Sequence, residues 1–165
     1  MKRLSSLFLT LTLLFTLTAC GGGNSSGRLT AALTAAGAIA LSVLKRKNIH
    51  IASHLSYCGG VEDKSFSDVD KDVLCLEKKQ IPALCDEAYD KMKEKMSETK
   101  KAGDSIGGTV ETAVTGLPAG VGEPWFDSLE SVISRAVFSI PGVKGIEFGC
   151  GDVVPAHVKA YQDAG

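Results

Sequence analysis

This chain lacks a strong charge of either sign. Its 165 residues carry 18 basic and 19 acidic side chains, a net charge of −1. No basic field is available to gather nucleic acid, so no nucleic-acid partner is expected. The chain also lacks a Cys-x-x-Cys pair among its five cysteines, which argues against a structural zinc site, and no metal ligand is assigned. No internal repeat is found. Wholesale disorder is excluded as well: 44% of residues are hydrophobic and only 22% charged, the balance of a globular protein. The length suits one modest domain.

What is present begins with an N-terminal segment unlike the rest. Lys2 and Arg3 precede an uncharged apolar run from Leu7 to Ala19 that ends Leu17-Thr18-Ala19-Cys20. That is the layout of a secretory signal peptide over residues 1–19. The Leu-Thr-Ala-Cys ending resembles a lipoprotein lipobox, in which Cys20 is the lipidated residue and a possible lipid anchor. Residues 20–27, rich in Gly and Ser, read as a flexible loop or tether. Without Cys20, four cysteines remain: Cys58, Cys75, Cys85 and Cys150. They suffice for two disulfides in an exported chain, or stand as free, partly buried thiols.

Hydrophobic periodicity divides the remainder. Leu29, Leu33, Ala36, Ala40 and Leu44 recur at steps of three and four, predicting a helix over Thr30–Lys47 with basic residues in its last turn. Asn48 to Leu55 alternates and reads as a strand, broken at Gly59-Gly60. Glu62 to Lys79, charged and irregular, reads as surface loop. A second helix is expected over Ile81–Lys101, with Pro82 in its first turn. Leu84, Cys85, Ala88, Met92 and Met96 face inward, and Gly103 stops it. Ile106 to Thr115 alternates as a strand, and Gly116 to Pro124 forms a tight loop. A third helix is expected over Phe126–Ser139, burying Phe126, Leu129, Ile133, Val137 and Ile140. Val143 to Phe148 returns as a strand. The fold class is α+β, helices packed on antiparallel strands. His50 and His54, four apart on a strand, share a face and could form a metal pair, but read as ordinary surface or groove residues.

Gly23-Asn24-Ser25-Ser26-Gly27-Arg28-Leu29-Thr30, written Gly-x-x-Ser-Gly-Arg-x-Thr and followed by an Ala-rich helix, resembles the second signature of chorismate synthase. Further blocks follow in the family's order. They are Ser53-His54-Leu55 with Gly59-Gly60-Val61, then Gly103-Asp104-Ser105-Ile106-Gly107-Gly108, then Gly116 to Pro124 with Phe126-Asp127-Ser128-Leu129, and last Ser139 to Gly149. On this resemblance, residues 28–151 are a partial chorismate synthase-like domain with a β-α-β sandwich fold, and residues 152–165 a divergent tail. Trp125 stands where the family more often has a small aliphatic residue, and Pro118 to Pro124 shapes a turn and packs the subunit core.

The resemblance implies a function: anti-1,4 elimination of phosphate from 5-enolpyruvylshikimate 3-phosphate to give chorismate, in the shikimate pathway, with reduced FMN as cofactor. It implies that Asn24, Ser25 and Ser26 lie against FMN and that Arg28 faces the anionic small-molecule substrate. It also implies a cytoplasmic homotetramer. No stretch corresponds to the family's Gly-Glu-Ser-His-Gly signature or its Gly-Arg-His-Asp-Pro motif, so no catalytic residue is assigned. The alternative is a membrane-tethered lipoprotein, anchored through Cys20, whose enzyme-derived domain binds without catalysing.

Overall fold

The computed structural model describes residues 27–149 and 158–162. The expected signal segment, lipobox and Gly/Ser tether up to Ser26 therefore lie outside the described residues, as does Cys150. The expected first helix forms as α1, Gly27–Lys45. Strand β1, His50–Cys58, turns at Gly59-Gly60 into the short β2, Val61–Glu62. Then come α2, Val69–Leu76, α3, Asp86–Ala102, and β3, Gly108–Thr115. A single 3₁₀ turn at Trp125–Asp127 leads to α4, Leu129–Val137, and the chain closes with β4, Val143–Phe148, and β5, Val158–Gln162.

The strands form one sheet in the order β2-β1-β3-β5-β4, every neighbouring pair antiparallel. The fold is α+β, with helices packed on antiparallel strands as the periodicities imply. Successive strand residues point to opposite faces, so adjacent Ile51 and Ala52 enter two different cores. On one face Ile51 and Val114 join Leu44 of α1 and Ile133 and Val137 of α4. On the other, Ala52 and Ala113 meet Val73 and Leu76 of α2. Strand β3 is buried on both sides and pairs with β1 and β5. The stretch expected as a divergent tail thus supplies β5, which lies between β3 and β4.

Four expectations need correction. Glu62 to Lys79 is not a surface loop, because α2 sits inside it. Asp68 caps that helix by accepting from the Lys71 N–H, and Val73 and Leu76, three apart, bury themselves against the sheet. Two apolar residues suffice when they fall on one helical face, however charged the rest. The second helix begins at Asp86 rather than Ile81, since Ile81 to Cys85 is drawn into extended contacts. The Pro82 carbonyl accepts from the Leu55 N–H at 2.9 Å, and the Leu84 and Cys85 amides turn away to a carboxylate. Its end holds: Gly103 takes the left-handed conformation, φ 73°, and donates back to Lys100 and Thr99. The third helix starts only at Leu129, capped by Ser128, and Phe126 is 87% exposed rather than buried. Nor does Pro118 to Pro124 pack a core here, for Pro118, Ala119, Gly120, Glu123 and Pro124 are exposed.

Asp63 explains why Ile81 to Cys85 lies where it does. Its carboxylate is wholly buried. It accepts from the amides of Leu84 at 2.7 Å, Cys85 at 2.9 Å and Lys64 at 2.8 Å. Lys79 closes the same segment by donating to the Ala83 and Leu84 carbonyls and to Asp86 Oδ1 at 2.7 Å. The Asp86 contact holds the Lys79 ammonium above the ordinary lysine range. Cys58, Cys75 and Cys85 are free thiols, and burial pushes the Cys58 thiol up.

Two predictions follow from this packing. Asp63→Asn replaces an acceptor-only group with one that carries its own N–H donors, leaving buried amides unmatched. It should cost about 3–5 kcal/mol in urea unfolding, with faster hydrogen exchange at Leu84 and Cys85; unchanged exchange there would refute the role. Gly116 and Gly120 share a left-handed backbone, φ 74° and 80°. A Cβ on Gly116 would lie 1.9 Å from the Asn48 carbonyl oxygen, whereas one on Gly120 meets nothing within 4 Å. Gly120→Ala should cost only the conformational term of about 1–2 kcal/mol. Gly116→Ala should add an overpacking cost of about 1–3 kcal/mol on top, and equal urea midpoints for the two variants would overturn the distinction.

Candidate functional site

Helix α1 enters the fold at Gly27, directly after Asn24-Ser25-Ser26 in the sequence. The first four N–H groups of any helix have no partner inside it. Over 19 residues the peptide dipoles add to a partial positive charge at that end, and no acidic side chain stands in the first turn to neutralise it. An anion is the complement of such an end. Asn24, Ser25 and Ser26, expected to hold the cofactor, and Cys20, expected to carry lipid, lie outside the described residues. Arg28, expected to face substrate, is described only in its backbone, which belongs to this first turn.

The two described histidines are elsewhere, and neither is an ordinary surface residue. His54 is fully buried. Its Nδ1 lies 2.9 Å from Asp63 Oδ2 and its Nε2 lies 3.0 Å from Glu111 Oε2, with the Phe66 ring edge-on at 4.8 Å. A neutral imidazole offers one donor and one acceptor, and an ionised carboxylate only accepts. Both contacts are hydrogen bonds only if the three groups share a proton beyond that count, on the ring or on a carboxyl. His50 sits near the other end of α1. Its Nδ1 is 3.3 Å from Glu77 Oε1, while Lys45, the last residue of α1, places Nζ 3.1 Å from Glu77 Oε2.

The spacing of His50 and His54 correctly puts them on one strand, but each goes to its own carboxylates. Among the described residues no group of three or more His, Cys, Asp and Glu is placed to hold a metal ion. Sequence reasoning missed Asp63 and Glu111. The one available signal was Glu111 within the apolar alternation of Val110, Thr112 and Val114, an unusual place for a carboxylate unless it is paired.

A third feature is an open groove of about 590 Å³ along the loop after β3. Val114 to Val121 form its floor and wall, and its ionisable lining residues are Asp70 and Glu130. No described helix is long and apolar enough to cross a membrane.

Comparison with known proteins gives these features a context. The chorismate synthase family model matches residues 10–163, beginning within the N-terminal apolar run. A chorismate synthase of Methanosarcina acetivorans is 44% identical over 133 residues, which is 79% of this chain and 36% of that protein. One from Pyrobaculum islandicum is 43% identical over 131 residues, with the same coverage of both chains. A crystal structure of chorismate synthase superposes with a TM-score of 0.69 at 21% identity, covering 85% of this chain and 56% of that one; it establishes the shared fold. The chain spans about a third of the length of these curated relatives, 36%. Since the family model runs through both the helix that follows the Gly-x-x-Ser-Gly-Arg segment and the sheet it packs on, the chain belongs to the chorismate synthase family.

Proposed function

We propose that this chain is chorismate synthase-like and supplies the anion-binding portion of the site for anti-1,4 elimination of phosphate from 5-enolpyruvylshikimate 3-phosphate, giving chorismate. The observation that carries this reading is the start of α1 at Gly27, with no acidic residue in its first turn, immediately after Asn24-Ser25-Ser26. A phosphate or carboxylate there meets unpaired amide N–H groups and the positive end of a 19-residue helix. Asn24, Ser25 and Ser26 would hold FMN, their amides and hydroxyls donating to its phosphate. When bound in its reduced form, the flavin assists departure of the substrate phosphate with no net redox change. Arg28 would grip the anionic substrate through a bidentate, charge-assisted contact.

The chain's own part is to bind and orient. His50 is tied through Glu77 to Lys45, at the opposite end of α1 from Gly27, and a helix of that length spans about 28 Å. His54 is enclosed between Asp63 and Glu111 with no exposed surface. Neither can deliver a proton to a substrate at Gly27. In this reading proton transfer belongs to groups outside the described residues, and affinity rather than turnover is the property to measure.

Isothermal titration of FMN, and separately of the enolpyruvyl substrate, into the full chain should give weak binding of about high micromolar, near −5 kcal/mol. Arg28→Ala should weaken it by about 1.5–3 kcal/mol, the value of a hydrogen bond to a charged group. Equal affinity in both proteins would show that the Gly-x-x-Ser-Gly-Arg segment has kept its sequence without its role.

A further inference from the structure

The 3₁₀ turn between the groove and α4 carries two large aromatic side chains almost wholly in solvent: Trp125 is 86% and Phe126 87% exposed. Single exposed apolar residues need no explanation, but adjacent aromatics displayed together do. They are held on a braced frame. The Glu123 N–H donates to the Asp127 carbonyl at 2.9 Å, spanning the turn. Ser128 caps α4 directly after it, accepting from the Ser131 N–H. Gly122 passes so close to α4 that a Cβ on it would meet the Leu129 amide nitrogen at 3.0 Å. Trp125 itself is fixed at φ 75°, a left-handed backbone that a bulky side chain adopts only against a steric cost.

The surrounding charge is of one sign. Glu123 and Asp127 flank the aromatic pair in the chain and are exposed, as is Glu130 in the first turn of α4. Among the described residues none of these three carboxylates takes part in an ion pair. The groove lined by Val121 and Glu130, which stand on either side of the turn in the chain, continues the pattern, its ionisable residues being Asp70 and Glu130 and its apolar lining Leu117, Pro118 and Val121.

We propose that the Trp125–Phe126 turn and the adjoining groove dock a basic polypeptide segment, one that alternates Arg or Lys with aliphatic residues. A cation over the Trp125 face gains from the ring quadrupole, tryptophan being the best partner of the three aromatics. Glu123, Asp127 and Glu130 supply the complementary charge, and the apolar groove wall receives an aliphatic neighbour. Buried Trp anchors within a polar rim are the usual centre of a binding surface. The same carboxylates repel an anionic membrane and a nucleic-acid backbone.

Trp125 is the only tryptophan in the chain, so its fluorescence reports occupancy of this turn without labels. The test titrates a short synthetic peptide of alternating leucine and arginine into the full chain, beside a twin with glutamate in place of arginine. The expected result is a saturable change in Trp125 emission with the arginine peptide alone, weakening as salt rises. The double variant Glu123→Gln/Asp127→Asn should bind at least fivefold more weakly, and Phe126→Ser likewise, with melting curves unchanged because all three residues are exposed. No saturable change, or an equal response to the glutamate twin, overturns the proposal. So does the same emission change on concentrating the protein alone, which makes the occupant a second copy, or on adding phosphatidylserine vesicles, which makes it a membrane.

Discussion

The buried carboxylate of Asp63 is the contact on which one side of this fold depends. Its two oxygens tie the end of the β1–β2 hairpin to the start of α3 through the Leu84 and Cys85 amides. Three backbone amides and one imidazole nitrogen converge on its two oxygens. A carboxylate removed from water loses several kcal/mol of hydration, and it stays ionised only where donors replace the lost water. Here they do so from three separate stretches of chain, so the desolvated charge is tolerable only when those stretches are assembled together. That makes the contact cooperative: the extended course of Ile81 to Cys85, the late start of α3 and the orientation of His54 stand or fall with it.

From Asp63 the polar interior continues across the sheet. His54 lies opposite Glu111 in the β1–β3 register, and its two ring nitrogens face carboxylates on either side. Beside it on the same strands, Ser53 and Thr112 share a hydrogen bond of 2.7 Å. Slipping β3 by one residue would move Glu111 to the other face, beside Ile51, Val110 and Val114 and away from the His54 ring. The buried polar pair therefore penalises the wrong register in the strand that holds the sheet together. Strand β5 then completes β3 on its far side, so residues with little local signal of their own are ordered by an edge already in place.

These constraints separate the molecule's chemistry into distinct places. The interior histidine is structural, locked by its partners. The N-terminal end of α1 lies at the far end of that helix from His50 and Lys45, and the direction of its backbone N–H groups is set by the helix itself. The aromatic turn before α4 is a third region, acidic where the α1 end is positive.

How much of this was legible in the residues follows from which forces are local. The apolar stripe from Leu33 to Leu44, the strand alternation of Val110, Thr112 and Val114, and the Gly103 helix stop all act within a few residues, so the helices, strands and α+β class could be read directly. The family relationship was legible too, through the Gly-x-x-Ser-Gly-Arg segment and the blocks that follow it in order. The short helix Val69–Leu76 was hidden because its inward face is only Val69, Val73 and Leu76 in a charged stretch, and no window of sequence shows the sheet that receives them. Phe126 read as core because its spacing to Leu129 and Ile133 is helical, yet Ser128 took the cap and left Phe126 outside the first turn. Asp63, His54 and Glu111 look like surface residues in a list. Only the pairing of β1 with β3 and the return of the Leu84–Cys85 amides decide that they are buried, because a charge can leave water only when partners distant in sequence arrive in space to replace it.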